Sequence, residues 1–549
     1  MRIQHHLPLG FAPRTARRAQ PQAPLRDVFR AGPAATAGRE LQALARMRPL
    51  VAAGLPPAVL AAQLEVLLQQ ALSDPATEKQ LLDKLAQLNA SGELKPVLHQ
   101  FAEQATASGA IPPMPEGKRK AMVEQLAGMI DAEFQAHGMT PDTQGQTYKT
   151  WEQLAAENLA AVRNTQVPAR GPGMPSCFTD PTFVAEMEAV QGARFVGGNR
   201  MTALIDGPAS FAVRDRLIAG AQSSIRLMSW AFYDDTTGWD TARKLVEKQR
   251  QGVAVQVVVD GQVGSRPGNN ETLDFLEANG VEVIRWRDPK RPYDGQHRKL
   301  MVVDGQSAVV GGINQGDVYS HRGEGPKWRD TDILLEGPAV NDCEQLFARI
   351  AGRPAPAPAS LAATGSARTA VVDHVPGPEG DAHILRATLK AIDGASESID
   401  IENAYFISTP DIRQALLDAL SRGVKVRLLT NSSESVDEPI VSAPILSSLP
   451  ELIQAGAEVY LKQGDTLHSK FMVVDGLFSS VGSYNLHPRS QRYEGEMNLN
   501  ILDAGTANEL IRAFENDLQQ ARRVASAESI QVPQNLLTTL ASRYFFDQL

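Results

Sequence analysis

The chain has 549 residues, of which 43% are hydrophobic and 21% charged, which is enough material for several folded domains. Its formal net charge of −9 disfavours binding to nucleic acid, because proteins of that class carry a basic surplus. No run of 18 apolar residues occurs, and no hydrophobic segment follows the basic amino terminus, so we expect neither a transmembrane span nor a standard signal peptide.

Residues 1–38 are predicted to form a disordered leader. They are rich in Pro, Ala, Gln and Arg, and their first acidic residue is Asp27. An alternative is a non-cleaved export segment of a specialised bacterial secretion system. We therefore expect the protein in the cytoplasm or at the periphery of a membrane, with export as the second possibility.

Residues 39–165 are predicted to form an all-α extension. Stretches such as "LAAQLEVLLQQAL" and "KQLLDKLAQLN" repeat Leu every three or four residues, the spacing of an amphipathic helix. The Leu and Met stripes are interpreted as core. Residues 166–197, which include "QVPARGPGMPSCFTDP", are predicted to be a linker because Pro and Gly recur there.

From residue 198 the pattern alternates between helix and strand, which is typical of an α/β sandwich with a substantially parallel sheet. Residues 198–350 are predicted to form one α/β domain and residues 371–524 a second copy of it. A Pro/Ala-rich linker, 351–370, separates the copies. Residues 525–549 form an amphipathic tail that is expected to pack on the body or, alternatively, to touch a membrane.

The duplication is clearest in one stretch that occurs twice. The first copy reads "HRKLMVVDGQSAVVGGIN" and the second "HSKFMVVDGLFSSVGSYN". Each residue of the second copy lies 171 positions after its counterpart in the first. Two copies of one His, Lys and Asp pattern in matching register indicate an internal duplication and a shared function.

Strand geometry places the His and the Lys of each copy on one face, because side chains alternate along a strand. His297 and Lys299 therefore point the same way, as do His468 and Lys470. One imidazole could attack phosphorus while the other protonates the leaving alkoxide, and the lysines would neutralise a phosphodiester without a metal ion. Since each half supplies one His, the site is expected between two halves packed about a pseudo-twofold axis. Amide side chains that could add hydrogen bonds to the phosphate follow the strands: Asn314 and Asn485.

Acidic residues accompany both motifs. Asp304 and Asp475 end their strands and are expected to hold the structure of the site through ion pairs or backbone bonds, or to be ordinary turn residues. A carboxylate on imidazole Nδ1 would fix its tautomer. Among the acids after each motif, Asp332 and Glu496 are predicted to take that position because each precedes an apolar strand. Four further histidines lack such support and are interpreted as bystanders: His321, His374, His383 and His487.

The two "HxKxxxxD" segments with downstream "GGIN" and "GSYN" resemble the phospholipase D superfamily. "HRKLMVVDGQSAVVGGINQGDVY", "DTDILLEGPAV" and "VGSYNLHPRSQRYEGEMNLNIL" are most similar to bacterial cardiolipin synthases of the subgroup without amino-terminal membrane spans. The resemblance implies two duplicated phospholipase D-like α/β sandwich domains and phosphatidyl transfer through a phosphohistidine on His297, with His468 as general acid and base. The family often has Asp before "PRS", where this chain has His487.

The implied substrate is a phospholipid at a membrane surface, and the acceptor is water or an alcohol such as phosphatidylglycerol. No cofactor and no metal is expected, and no nucleic acid. A nucleic-acid phosphodiesterase is the alternative enzyme, and a helical adaptor or effector with a secondary catalytic body is the alternative class. The head group, the choice between hydrolysis and transfer, and the oligomeric state stay open.

Overall fold

The computed structural model describes residues 56–71, 75–107, 116–137, 151–289, 291, 294–377 and 380–532. The leader expected over residues 1–38 lies outside the described residues. Of the tail expected over residues 525–549, the part from 533 onward also lies outside them. Within the described part of the chain, no helix is both long and apolar enough to cross a bilayer.

The chain divides into two compact units, Met1–Gln87 and Leu88–Leu549. Helix α1 (Pro57–Ala71) belongs to the first unit, and helix α2 (Pro75–Ser91) runs across the boundary. In the second unit, α3 (Leu94–Ala107) and α4 (Glu116–His137) pack against each other. The helical character expected of the amino-terminal region is therefore confirmed over its described residues.

One mixed sheet forms the body of the second unit. Its sixteen strands run in the order β16-β12-β11-β10-β13-β14-β15-β9-β1-β8-β7-β6-β2-β3-β4, and β5 pairs with β15. The strands are β1 Val196–Ile205, β2 Ser224–Ser229, β3 Ala254–Asp260, β4 Glu282–Trp286, β5 Gly295–Gln296, β6 Leu300–Val303, β7 Ser307–Gly311, β8 Thr331–Glu336, β9 Ala367–His374, β10 Ser398–Asn403, β11 Lys425–Asn431, β12 Glu458–Lys462, β13 Lys470–Val474, β14 Phe478–Gly482, β15 Glu494–Leu502 and β16 Ala521–Arg523.

Apart from the additional β16 at one edge, equivalent strands of the two halves follow in the same order from each edge of the sheet, as a duplicated domain requires. Strands β1 to β4 and β6 to β8 form one half, and β9 to β15 form the other. The halves join where β1 and β9 pair antiparallel, so the pseudo-twofold axis passes between these two strands. The predicted pair of α/β domains is confirmed, and the two share one continuous sheet.

The sheet is less parallel than the sequence indicated. Among the described strands, parallel pairing is confined to β2, β3 and β4, to their counterparts β10, β11 and β12, and to the short pair β5 and β15. Strands β6, β7 and β8 are connected without a crossover that would return the chain to the other end of the sheet. Successive strands therefore run in opposite directions and pair antiparallel. The tight turn after β6 lies at Asp304 and Gly305, both in the left-handed region with φ of 52° and 62°.

Helices cover both faces of the sheet. One hydrophobic core draws on both halves and includes Phe347 and Phe514, and each half has a further core on the opposite face. The remaining helices are α5 Trp151–Arg163, α6 Pro181–Gln191, α7 Asp206–Gly220, α8 Thr236–Arg250, α9 Glu271–Ala278, α10 Asp317–Ser320, α11 Val340–Ile350, α12 His383–Gly394, α13 Pro410–Ser421, α14 Ser442–Ser447, α15 Pro450–Gln454, α16 Pro488–Arg492 and α17 Ala504–Leu518.

Residues 166–197, predicted to be a linker, are part of the folded body instead. They contain helix α6, and the apolar side chains of Cys177, Phe178 and Met187 are buried in the core of the second half. Helix α5, assigned to the helical extension, also packs there: Val162 joins the same core, and buried Asn158 donates to Asp411 at 2.9 Å. The prolines and glycines of residues 166–197 indicated a linker, although buried apolar residues lie between them.

Candidate active site

The two motif histidines lie just before strands β6 and β13, and each is held by backbone from the opposite half. The backbone N–H of His297 donates to the carbonyl of Gly495 at 2.9 Å. The backbone N–H of His468 donates to the carbonyl of Arg329 at 2.7 Å. Each half therefore fixes the position of the other half's histidine.

The histidine side chains are likewise bound by residues of the opposite half. His297 Nδ1 lies 2.9 and 3.0 Å from the two carboxylate oxygens of Glu496, which comes from the second half. His468 Nδ1 lies 2.7 Å from Asp330 Oδ2, which comes from the first half. A carboxylate on Nδ1 keeps a proton there and leaves Nε2 for the reaction. Both rings are almost completely buried.

The carboxylate partner of His468 is Asp330. The prediction that Asp332 takes this position is wrong. Asp332 is buried within its own half, where it accepts from Ser210 Oγ at 2.5 Å and pairs with Arg214 at 2.8 Å. The two acids lie two positions apart, so alternation along the chain could not separate them. The strand register separates them: Asp332 pairs with Gly311 as Asn498 pairs with Gly482, so Asp330 is the counterpart of Glu496. Gly312 leaves room for Asp330, because a Cβ there would lie 2.2 Å from the carboxylate.

Glu496 is held from several sides. Ser483 Oγ and Ser490 Oγ each donate to it at 2.5 Å. A second carboxylate, Glu494, has an oxygen 3.7 Å from His297 Nδ1 and accepts from Arg489 at 2.8 Å. Burial raises the pKa of Glu496, whereas His297 and Arg489 outweigh burial and lower the pKa of Glu494. His297 therefore faces two carboxylates, of which Glu494 keeps its negative charge more firmly.

Both lysines are buried and lie against their histidines. Lys299 Nζ donates to the carbonyl of His297 at 2.7 Å, and Lys470 Nζ donates to the carbonyl of His468. Burial lowers the pKa of Lys299 to about 7 and the pKa of Lys470 to about 8, although nearby carboxylates oppose the shift. The low pKa values mean that the site is prepared to gain positive charge when an anion enters.

The electrostatics join the two motifs into one site. Burial and the charge of Lys299 lower the pKa of His297 well below its ordinary value, and Lys470 adds to the effect. Burial, Lys470 and Lys299 lower the pKa of His468 in the same way. Each histidine is thus influenced by the other half's lysine and is neutral near pH 7, the form in which an imidazole is a nucleophile.

Asp304 and Asp475 lie away from the histidines, at the far ends of β6 and β13. The Asp304 carboxylate accepts backbone N–H bonds from Gln222, Ser223 and Ser224 at 2.7 to 2.9 Å. Asp475 does the same for residues 396–398. Each lies seven positions after its histidine along extended chain, roughly 20 Å away. They are structural residues, as one of our alternatives held, and do not contact the reacting groups.

The two asparagines differ, although both were predicted to bind phosphate. Asn314 Oδ1 accepts from Ser229 Oγ at 3.1 Å, and its Nδ2 donates to the Tyr319 hydroxyl at 2.9 Å. It therefore holds a loop of the first half together. Asn485 is also buried, but its Oδ1 has no hydrogen-bond partner among the described residues. Of the two asparagines, Asn485 alone has a side-chain carbonyl oxygen without a hydrogen-bond partner among the described residues.

The aromatic residues around the site were not predicted from the sequence, because they lie on loops and on the short helix α10, where no periodic pattern marks them. His468 packs against Tyr319, Trp328 and Tyr405, with ring centroids 5.1, 5.4 and 6.3 Å away. Trp230 packs edge-on to His297 at 6.0 Å. His487, interpreted as a bystander, also lies here, with its ring stacked on Tyr405.

A cation could be considered at His297, Glu494 and Glu496, whose possible ligand atoms lie within 4.8 Å of one another. The carboxylates already accept from Arg489 and two serines, and Lys299 supplies positive charge nearby. We therefore expect that EDTA leaves the rate of phosphodiester cleavage within about twofold of the untreated protein. A rate that collapses with EDTA and returns with one added divalent ion would show that these residues bind a metal.

The chain is similar to known proteins in sequence and in fold. A family model described as "Cardiolipin synthase, PLD-like domain" matches residues 215–322 and 388–518. The chain is 30% identical to the major cardiolipin synthase ClsA of Bacillus subtilis over 366 residues, covering 62% of this chain and 73% of the relative. It is 31% identical to cardiolipin synthase A of Pseudomonas entomophila, covering 61% and 71%. The crystal structure of a phosphatidylserine synthase from Haemophilus influenzae has the same fold, with a TM-score of 0.54, 14% identity, and coverage of 66% of this chain and 98% of that one.

Proposed function

The chain belongs to the cardiolipin synthase family of phospholipase D-like proteins, and we propose that it transfers a phosphatidyl group from one phospholipid to the hydroxyl of another. The observation that carries the proposal is the crossed arrangement of the two histidines. Each imidazole is held at Nδ1 by a carboxylate from the opposite half, and two buried lysines lie beside them.

In the first step, the neutral Nε2 of His297 attacks phosphorus. The bond between phosphorus and the head-group oxygen breaks, and His468 donates its Nε2 proton to the leaving alkoxide. In the second step, His468 removes the proton of an acceptor hydroxyl, whose oxygen attacks phosphorus while the bond to His297 breaks. Lys299 and Lys470 neutralise the phosphoryl oxygens throughout.

The carboxylates support giving His297 the nucleophilic role. Bonding to phosphorus leaves a positive charge on the imidazole, and Glu496 at 2.9 Å with Glu494 at 3.7 Å would stabilise that charge. His468 has one carboxylate, Asp330, whose pKa burial raises to about 6, and Lys470 lies 3.0 Å from its Nδ1. The weaker anionic support suits a group that gives its proton away. An anionic substrate would raise the pKa of His468 and so supply that proton.

Product analysis separates the possible acceptors. Vesicles of labelled phosphatidylglycerol are incubated with the full-length protein, and the lipids are separated by thin-layer chromatography. We expect cardiolipin together with released glycerol. Phosphatidic acid without cardiolipin would indicate a hydrolase, and added ethanol should then be converted to phosphatidylethanol. An unchanged lipid with cleavage of single-stranded DNA would contradict the proposal and favour a nucleic-acid phosphodiesterase.

The lysines predict the direction of the pH dependence. A phosphodiester anion binds best when both lysines are protonated, and in the empty site their pKa values are about 7 and about 8. We expect kcat/KM to be highest at or below pH 7 within the stable range and to fall about tenfold per unit between pH 7 and 8. Above pH 8, where both lysines lose their protons, the fall should approach about a hundredfold per unit. Initial rates on mixed micelles between pH 6 and 9.5 measure the profile. A Lys470→Arg variant keeps its charge at that position, so its kcat/KM should fall only about tenfold per unit above pH 8, because Lys299 alone still loses its proton. A flat profile for the wild type would contradict the assignment.

A further inference from the structure

A third histidine, His487, lies near the two motif histidines. His487 is 5% exposed, and its Nδ1 accepts the backbone N–H of Ser490 at 3.0 Å, which caps helix α16. Because Nδ1 accepts, the ring proton of the neutral form must be on Nε2. Burial lowers the pKa of His487 to about 4, so the ring is neutral at working pH.

The Nε2 donor of His487 is available to a ligand. It makes no hydrogen bond to any described residue, and it is not among the fully buried polar atoms that lack a partner, so it reaches accessible space. The ring stacks on Tyr405 with centroids 6.1 Å apart, and Tyr405 packs edge-on to His468 at 6.3 Å. Tyr405 therefore packs against both His487 and the second catalytic histidine.

His487 is also connected to the first catalytic histidine. Ser490, whose N–H it accepts, donates through Oγ to Glu496, and Glu496 holds His297. Glu494 and Glu496 oppose the lowering of the His487 pKa, which agrees with a position near the same carboxylates.

The first half has no equivalent donor. The residue 171 positions earlier is Gly316, and a Cβ added there would lie 2.5 Å from the ring of Tyr233. Tyr233 occupies the space that a side chain at 316 would need. The two halves therefore differ at this position, and the difference could distinguish the head group from the phosphatidyl group.

We propose that His487 is a specificity-determining residue, which donates a hydrogen bond from Nε2–H to a hydroxyl of the head group or acceptor and thereby favours glycerol-type polyols over cationic amino alcohols. The proposal rests on the proposed function and names the substrate class of the same site. An uncharged N–H donor pairs with a hydroxyl oxygen, whereas it opposes an ammonium group, which has only donors. The phosphate charge itself is met by Lys299 and Lys470.

Three variants at one position separate this role from helix capping. His487→Asn keeps an acceptor for the Ser490 backbone N–H and a neutral N–H donor. His487→Asp keeps the acceptor but replaces the donor with an anion. His487→Ser keeps the acceptor, but its side chain is too short to place a donor where Nε2 lies. Asn, Asp and Ser are comparable caps, so thermal melting should agree among the three variants. All are made in the full-length chain.

Binding is measured by calorimetry in a His297→Asn background, which blocks turnover, with glycerophosphoglycerol and glycerophosphoethanolamine as probes. With His487 we expect the polyol diester to bind about tenfold more tightly than the amine. Asn should keep that ratio within about threefold, Ser should bring it close to one, and Asp should reverse it. Equal ratios in all four proteins, or equal shifts for Asn and Asp, would show that His487 only caps the helix.

The same variants with His297 intact test the reaction itself. Labelled lipid is supplied with equal concentrations of glycerol and ethanolamine, and the two phosphatidyl products are compared. Wild type should favour the glycerol product and His487→Asp the ethanolamine product. A wild type that forms neither product overturns phosphatidyl transfer, while the calorimetric ratios still decide the role of His487.

Discussion

A His297→Asn protein should transfer no phosphatidyl group and form no covalent intermediate, while His468→Asn should accumulate one. Without His297 no nitrogen attacks phosphorus, and kcat should fall by at least about ten-thousandfold. Without His468 the first step still proceeds if the leaving group needs little protonation, as in a phosphatidyl ester of nitrophenol. The second step then stops, because no base removes the proton of the acceptor.

The intermediate is measured by rapid acid quench of a single turnover with phosphorus-labelled lipid, followed by peptide mapping. Wild type should show a transient label, His468→Asn a stable one near one per chain, and His297→Asn none. His383→Asn is the matched control, since its ring pairs with Asp381 at 3.2 Å and is one-third exposed at the start of helix α12. A label in His297→Asn, mapped to the peptide that contains His468, would reverse the two roles.

The elements that could be predicted from the sequence are those set by local spacing. Alternation along a strand places His297 and Lys299 on one face, and the repeat of 171 residues indicates two halves with one shared site. The central strands β1 and β9 were not predicted as strands. Most side chains of β1 are partly buried or exposed, so the sequence of this strand shows neither an apolar run nor clear alternation. The pairing of β1 with β9 is also interrupted between Val196 and Asn199.

The carboxylate partners depend on contacts between strands, which spacing within one strand does not contain. Asp330 binds His468 while Asp332 pairs with Arg214, and in the second half Glu496 binds His297. Asp330 and Glu496 occupy equivalent positions, each two residues before the residue that pairs with the last glycine of β7 or β14. Ser483 donates to Glu496, and Gly312 leaves space for Asp330. The exchange between halves could be read only once these neighbours were in place.

Replacing Gly312 by Ser should therefore disable the site without changing any group that contacts the substrate. The new Cβ would lie 2.2 Å from the Asp330 carboxylate, and the neighbouring backbone at Thr331 is fixed in β8, so the carboxylate must leave His468 Nδ1. An imidazole without its carboxylate loses its tautomer and orientation. We expect kcat to fall about a hundredfold or more, with the same loss in Asp330→Asn.

Gly197→Ser is the matched control, because a Cβ there meets only the Arg368 side chain at an ordinary 3.8 Å, and its kcat should stay within twofold. The pair of variants also tests the mechanism of the loss. If Asp330 acts through His468, then Gly312→Ser combined with Asp330→Asn should be little worse than either alone, since both remove one interaction. If the losses multiply, the serine disturbs something other than the carboxylate. Near-normal activity in Gly312→Ser would show that the second histidine does not need Asp330, and the difference between "GGIN" and "GSYN" would then have no chemical meaning.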